Sequence, residues 1–178
     1  MKRNTPRASS RPSDRKERME RSRRDRDFSA PLRSARNDAK NYVSRSEADT
    51  ERRAAAFAKT LSGGEVLLLN GDLGAGKTVF VRGLAKGLGV RGRITSPTFV
   101  FMRVHDAHRR DIRHLVHVDA YRVRNARDLE AIGLLEWVGR PDTIVAIEWG
   151  ERVRRIAPRA IRVRMTGSGT RRRITVSH

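Results

Sequence analysis

The chain has no cysteine, which excludes disulfides, thiolate metal sites and thiol redox chemistry and fits a reducing cytoplasm. No apolar run approaches the roughly 20 residues needed to cross a bilayer, and the basic N-terminus is not followed by the apolar core of a secretion signal. The expectation is a soluble, cytoplasmic protein with no membrane segment. Aromatic residues make up only 5%, too few for the interleaved stacking residues of an RNA-reading surface, so a pure RNA-binding module ranks last among the functions considered. Acid is scarce as well: 20 Asp and Glu face 40 Lys and Arg, a formal charge of +20. Such a balance favours polyanionic partners, nucleic acid or nucleotide phosphate among them. With 178 residues, 37% of them hydrophobic, the chain can bury one domain core.

Residues 1 to 40 are built from Arg, Ser, Asp, Glu and Pro, with 14 basic and 6 acidic residues and almost nothing apolar to bury. That composition predicts a disordered basic tail, either solvated or an electrostatic arm for RNA. Residues 41–178 form the expected folded domain. Ser44-Arg45-Ser46-Glu47 reads as a capping box, and Ala54, Phe57, Ala58 and Leu61 follow at helical spacing. A buried strand over Glu65 to Leu69 runs into a glycine-rich stretch, and a second helix begins near Lys77. Phe99 to Val104 and Ile112 to Val118 read as strands around a polar loop, His105 to Asp111. Residues 127 to 138 read as a helix with Leu129, Ile132 and Leu135 as its stripe, Thr143 to Ile147 as a further strand, and the residues after Pro158 as a closing hairpin around Gly167-Ser168-Gly169. Fully apolar strands alternating with helices predict an α/β domain whose parallel-rich central sheet is flanked by helices, with a C-terminal β-hairpin.

The glycine-rich stretch is Gly71-Asp72-Leu73-Gly74-Ala75-Gly76-Lys77-Thr78, which satisfies G-x-x-x-x-G-K-[ST]. The glycines let backbone N–H groups converge on phosphate oxygens, Lys77 suits the β and γ phosphates, and the Thr78 hydroxyl suits Mg2+. The motif lies between a predicted buried strand and an amphipathic helix, the context that this mechanism requires. A P-loop enzyme also needs a carboxylate at the end of a neighbouring strand. Two qualify, Asp119 after Leu115-Val116-His117-Val118 and Glu148 after Ile144-Val145-Ala146-Ile147. Residue type alone does not rank them.

The ordered set GDLGAGKT, TSPTF at 95–99, HVDAYR at 117–122, DLEAIGLLEW at 128–137 and IEWGER at 147–152 resembles the TsaE family, the bacterial tRNA threonylcarbamoyladenosine biosynthesis P-loop ATPase, over about residues 44–178. The resemblance implies an ATP- and Mg2+-dependent hydrolase supporting TsaB- and TsaD-type partner subunits, which install threonylcarbamoyl on the adenosine beside the tRNA anticodon. It implies that Lys77 and Thr78 keep the roles above and that Gly71, Leu73, Gly74, Ala75 and Gly76 cradle the nucleotide. It further implies that Glu148 stands at the magnesium ion and that Asp119 orients the attacking water. Ser96, Pro97 and Thr98 match a loop facing the γ phosphate, Glu47 aligns near the nucleotide base, and Arg171 to Arg173 approach the phosphates. Trp149 matches an aromatic beside the acid and reads equally as a core tryptophan. Val79 departs from the second Thr of many relatives, where only the backbone N–H matters, and the tail before residue 40 has no counterpart. His117 reads as a strand residue beside Asp119, and the five histidines form no convincing metal pair. The alternative activity is a P-loop kinase phosphorylating a small metabolite.

Overall fold

The computed structural model describes residues 39–97, 101–167 and 169–178. The expected tail before residue 39, Thr98 of the TSPTF stretch, the start of the strand expected from Phe99, and Ser168 of the hairpin turn lie outside the described residues.

Among the described residues, thirteen short elements form the fold around one mixed seven-stranded sheet. In chain order these are β1 (Lys40–Ser44), α1 (Glu47–Ala58), β2 (Val66–Asn70), α2 (Lys77–Gly87), β3 (Met102–Arg109), β4 (Ile112–Asp119) and α3 (Ala126–Ala131). After a 3-10 turn at Leu134–Glu136 come β5 (Thr143–Glu148), two more 3-10 turns, β6 (Ile161–Thr166) and β7 (Arg172–Ser177). The strand order is β1-β7-β6-β2-β5-β4-β3. Strands β6, β2, β5 and β4 run parallel through the centre, and antiparallel strands close both edges.

The central strands are parallel because both of their faces are apolar and both can be covered. On β2, Leu67 and Leu69 enter a core formed with α1 and α2, while Val66 and Leu68 enter a second core with Leu129, Leu134, Val153 and Ala157 on the opposite face. A fully buried leucine or isoleucine contributes about 1.5–3 kcal/mol. Two cores on one sheet therefore lock the register of β2 and β5. That register aligns three strand ends, because Leu69 pairs with Glu148 and Glu148 with Asp119. Ligands gather beyond the carboxyl ends of parallel strands, and here the glycine-rich loop leaves β2 beside both acids.

Four local expectations are corrected. The helix cap is Ser46, whose Oγ accepts from Asp49 N at 3.0 Å; Ser44 belongs to an unexpected edge strand and its Oγ meets Thr50 Oγ1 at 2.7 Å. The polar stretch His105 to Asp111 is mostly strand, with a turn at Arg110-Asp111. An edge strand is half solvated, so it reads as polar. The helix expected over 127–138 stops after Ala131, because Gly133 adopts φ 74° and resets the phase. Leu134 is consequently buried and Leu135, part of the expected stripe, is 47% exposed.

Helices α1 and α2 pack closely because α2 presents glycines one turn apart. A Cβ on Gly83 would lie 2.4 Å from Glu51 O and 2.6 Å from Ala54 Cβ, and one on Gly87 would lie 2.5 Å from Ala55 O. Gly83→Ala should therefore destabilise the fold by about 1–3 kcal/mol through overpacking, outweighing a helix-propensity gain of about 1 kcal/mol. A urea midpoint equal to or above that of the parent, at unchanged slope, would refute this close-packing account.

Candidate functional site

The loop after β2 turns sharply at Gly71 (φ 145°), where a Cβ would sit 2.3 Å from Met165 O. It enters α2 through Gly76 in the left-handed region (φ 95°), with no side chain capping the helix. The first N–H groups of α2 are thus left for a ligand, at the positive end of the helix dipole. Gly76 also sits against Arg172, whose Nε would be 2.7 Å from an added Cβ.

Lys77, only 5% exposed, folds back onto the loop: Nζ donates to Gly71 O at 2.6 Å and to Asp72 O at 2.9 Å and stands 3.6 Å from the centre of the Trp149 ring. Burial lowers its pKa, and the nearby charges of Glu148, Glu151, Asp119 and Asp72 oppose that shift. Trp149 reaches this position because it adopts φ 59°, a strained turn for a side chain of its size that costs on the order of 1–3 kcal/mol. The same turn sets its ring 5.0 Å from Tyr121.

Next to the lysine, Thr78 Oγ1 donates to the Glu148 carboxylate, at 2.8 Å from Oε1 and 3.1 Å from Oε2. His117, fully buried on β4, places Nε2 2.8 Å from the same Oε1. Asp119 Oδ2 accepts from Ser96 Oγ at 2.7 Å, and its Oδ1 accepts from Tyr121 N at 2.9 Å. Both carboxylates are buried and project from the sheet face that α1 and α2 cover, since Asp119 and Glu148 share a register with Leu69.

These groups border an open cleft of about 320 Å³, walled in part by Glu47, Gly76, Thr78, Glu148, Trp149 and Arg172. Leu73 and Gly74 stand at its wall, Leu73 with 88% of its surface exposed, whereas Gly71 and Ala75 lie outside the wall and Ala75 is buried in the core. Asp119 is behind Ser96, which does line the cleft. Glu47 accepts from Arg82 Nη2 at 2.7 Å and lies 3.9 Å from Arg172 Nη2. Of Arg171 to Arg173, Arg172 alone is buried, following the inward alternation of Ile174 and Val176 on β7. Its Nε and Nη1 have no hydrogen-bond partner among the described residues.

The structure thus brings together Lys77, Thr78, Glu148, Trp149 and Glu47 at one cleft, with Asp119 one contact behind. His117 reads from the sequence only as a strand residue beside Asp119, with no role at the site. The signal was period-two alternation, which puts 117 and 119 on one face of β4, but its meaning depended on the register with β5. Chemically the cleft offers open helix N–H groups, two buried cations and a hydroxyl–carboxylate pair of hard oxygen donors, a set suited to phosphate and a hard divalent cation.

Comparison with known proteins shows the family. The family model described as threonylcarbamoyl adenosine biosynthesis protein TsaE matches residues 44–174. Similar curated proteins, each described as tRNA threonylcarbamoyladenosine biosynthesis protein TsaE, include one from Streptomyces coelicolor, 50% identical over 53% of this chain and 63% of that protein. Another, from Treponema pallidum, is 42% identical over 76% of this chain and 98% of its own length. Among solved structures, the crystal structure of Bacillus subtilus YdiB superposes with a TM-score of 0.60 at 25% identity, covering 81% of this chain and 88% of that one.

The buried lysine makes a prediction about stability. At pH values below its depressed native pKa, Lys77 is charged in both folded and unfolded chains, and the fold bears the full cost of burying that charge. Between that pKa and the ordinary lysine value, the unfolded chain holds a proton that the native one has shed, so stability rises with pH. Against Lys77→Met, the parent should gain stability through this alkaline window in urea denaturation; a pH-independent difference between the two would contradict it.

Proposed function

The chain belongs to the TsaE family of threonylcarbamoyl adenosine biosynthesis proteins, and from that premise we propose that it is a magnesium-dependent P-loop ATPase. In this reading it supports the complex that installs threonylcarbamoyl on the adenosine beside the tRNA anticodon, working in the cytoplasm with TsaB- and TsaD-type subunits. The observation that carries the reading is the meeting of Thr78 and Glu148 at the mouth of the glycine-rich loop, a hydroxyl from the start of α2 and a carboxylate from the end of β5 within 2.8 and 3.1 Å. Both are hard oxygen donors of the kind magnesium takes, and magnesium needs only one or two from protein when phosphates and water complete its shell. Among the described residues no group of three or more His, Asp or Glu is placed to hold a metal alone, which suits an ion brought in with a nucleotide. No helix among them is long and apolar enough to cross a membrane.

When bound, Mg2+ neutralises charge on the phosphate oxygens. The chain does the positioning. Backbone N–H groups around Gly74 and Gly76 and the start of α2 hold the phosphates, and Lys77 leaves the carbonyls of Gly71 and Asp72 for the β and γ oxygens. Thr78 and Glu148 would hold the ion, directly or through its water. Asp119, steadied by Ser96 and by Tyr121 N, orients the attacking water, and Ser96 couples the loop at 95–97 to the γ phosphate. Glu47 lines the cleft on the side of the base, and Arg172, set against Gly76, faces the phosphates. Phosphoryl transfer asks for placement and charge compensation more than covalent chemistry, and these residues provide both. Contact with tRNA is indirect or through the basic tail, and part of the site is completed by the partner subunits.

The test follows γ-labelled phosphate. It should end as inorganic phosphate, and Lys77→Ala, Thr78→Ala, Glu148→Gln and Asp119→Asn should each lower turnover by roughly 10²–10³-fold, the scale set by losing one charge-stabilising contact. Label found on a second small molecule would make the protein a kinase instead, and variants as active as the parent would remove these residues from the mechanism. Equal rates with and without the two partner subunits would dismiss partner completion.

A further inference from the structure

We propose that His117 is a positioning residue that holds Glu148 so that one carboxylate oxygen stays with the protein while the other is presented to the divalent ion. The inference rests on the ATPase reading above and gives a role at the site to a residue read from the sequence only as part of a strand.

The geometry is specific. His117 has no solvent exposure, and its Nε2 lies 2.8 Å from Glu148 Oε1. Across the sheet His117 pairs with Ala146 on β5 and with Arg103 on β3. Alanine is small, so the imidazole can lean along β5 toward Glu148, which projects from the same face two residues on. Ala146 therefore permits the contact that a larger residue would block.

The chemistry follows from the donor inventory. A carboxylate oxygen accepts, so the hydrogen of this contact sits on Nε2. Nδ1 has no hydrogen-bond partner among the described residues, so the ring spends its hydrogen on Glu148. A ring N–H fixes the carboxylate without placing a permanent cation beside it. A lysine or arginine in the same place would also fix it but would leave little attraction for a dication. Oε1 is held by His117 Nε2 and by Thr78 Oγ1, both at 2.8 Å, whereas Oε2 has only the longer 3.1 Å contact to Thr78 Oγ1 and is the oxygen left for the ion. The ion then meets a rigid donor pair rather than a carboxylate free to chelate through both oxygens or to swing toward Lys77. Groups that orient a metal ligand in this way commonly change metal affinity by 10- to 100-fold when removed.

Full-length protein with ATP is titrated with Mn2+ under electron paramagnetic resonance, and ATP binding is measured separately by calorimetry in chelator. His117→Leu, which lacks a donor, and His117→Asn, whose amide stops at the Nδ1 position, should weaken Mn2+ binding roughly 10- to 100-fold. ATP affinity in chelator should not change. His117→Gln, whose amide reaches the Nε2 position, should recover most of the loss. Wild-type Mn2+ affinity in the Leu and Asn variants would overturn the proposal, as would a Gln variant as weak as Asn, since packing alone would then explain the residue. Where His117→Leu does not fold, the Asn and Gln pair decides between the two. A parent protein that binds no Mn2+ with ATP would overturn the ATPase reading itself, a result distinct from any of these.

Discussion

A carboxylate buried at the end of a central strand constrains everything near it. Glu148 is taken out of water on β5, and an isolated ionised group there would cost several kcal/mol. The fold meets that cost with two donors from separate elements, Thr78 at the start of α2 and His117 on β4. For both to arrive, β2 must run parallel to β5 and β4 parallel to β5 with the registers observed, and the loop between β2 and α2 must turn within a few residues. The sheet centre and the glycine-rich loop are therefore parts of one requirement.

The same requirement explains why the site is held closed on itself. Lys77 is satisfied by carbonyls of its own loop and by the face of Trp149, Thr78 by Glu148, and Asp119 by Ser96 and a backbone N–H. In the proposed function the contacts of Lys77 and Thr78 are exchanged for ones to nucleotide and ion, while those of Asp119 are kept. A site satisfied in this way avoids leaving charge bare in the ligand-free protein, and it also sets a threshold that a weak ligand does not overcome. Trp149, a non-glycine residue in the left-handed region, stores backbone strain where the exchange takes place.

How much of this was legible depends on the range of the interaction that carries it. The strand, glycine-rich loop and following helix at 66–87 are local, and periodicity with turn chemistry reveals them. Asp119 and Glu148 stood out because each ends an apolar run. His117 did not, because its meaning requires that Glu148 lie diagonally across β5, and register is a tertiary fact. Arg172 was legible only as one of three adjacent arginines until the alternation of β7 turned it inward. The strand at Lys40–Ser44 escaped because a short edge strand is polar over most of its surface. The helix expected over 127–138 failed at Gly133, where one residue in the left-handed region shifts the phase so that Leu134 rather than Leu135 packs inside.

The C-terminal hairpin gains a purpose from the remaining imbalance. Among the described residues, Arg172 is a buried cation whose Nε and Nη1 make no hydrogen bond, and its nearest acid, Glu47 at 3.9 Å, is largely engaged by Arg82. Burying a guanidinium with donors unused is unfavourable unless something arrives to use them. The arginine is wedged against Gly76, where any Cβ would collide with it, so the loop and β7 are fitted to each other. Strand β7 reaches that place only through β6, which pairs in parallel with β2. The hairpin is thus an arm of the site that extends the sheet to carry one donor-rich side chain to the loop, and in the proposed function a ligand gains most at the end of the cleft where the protein satisfies itself least.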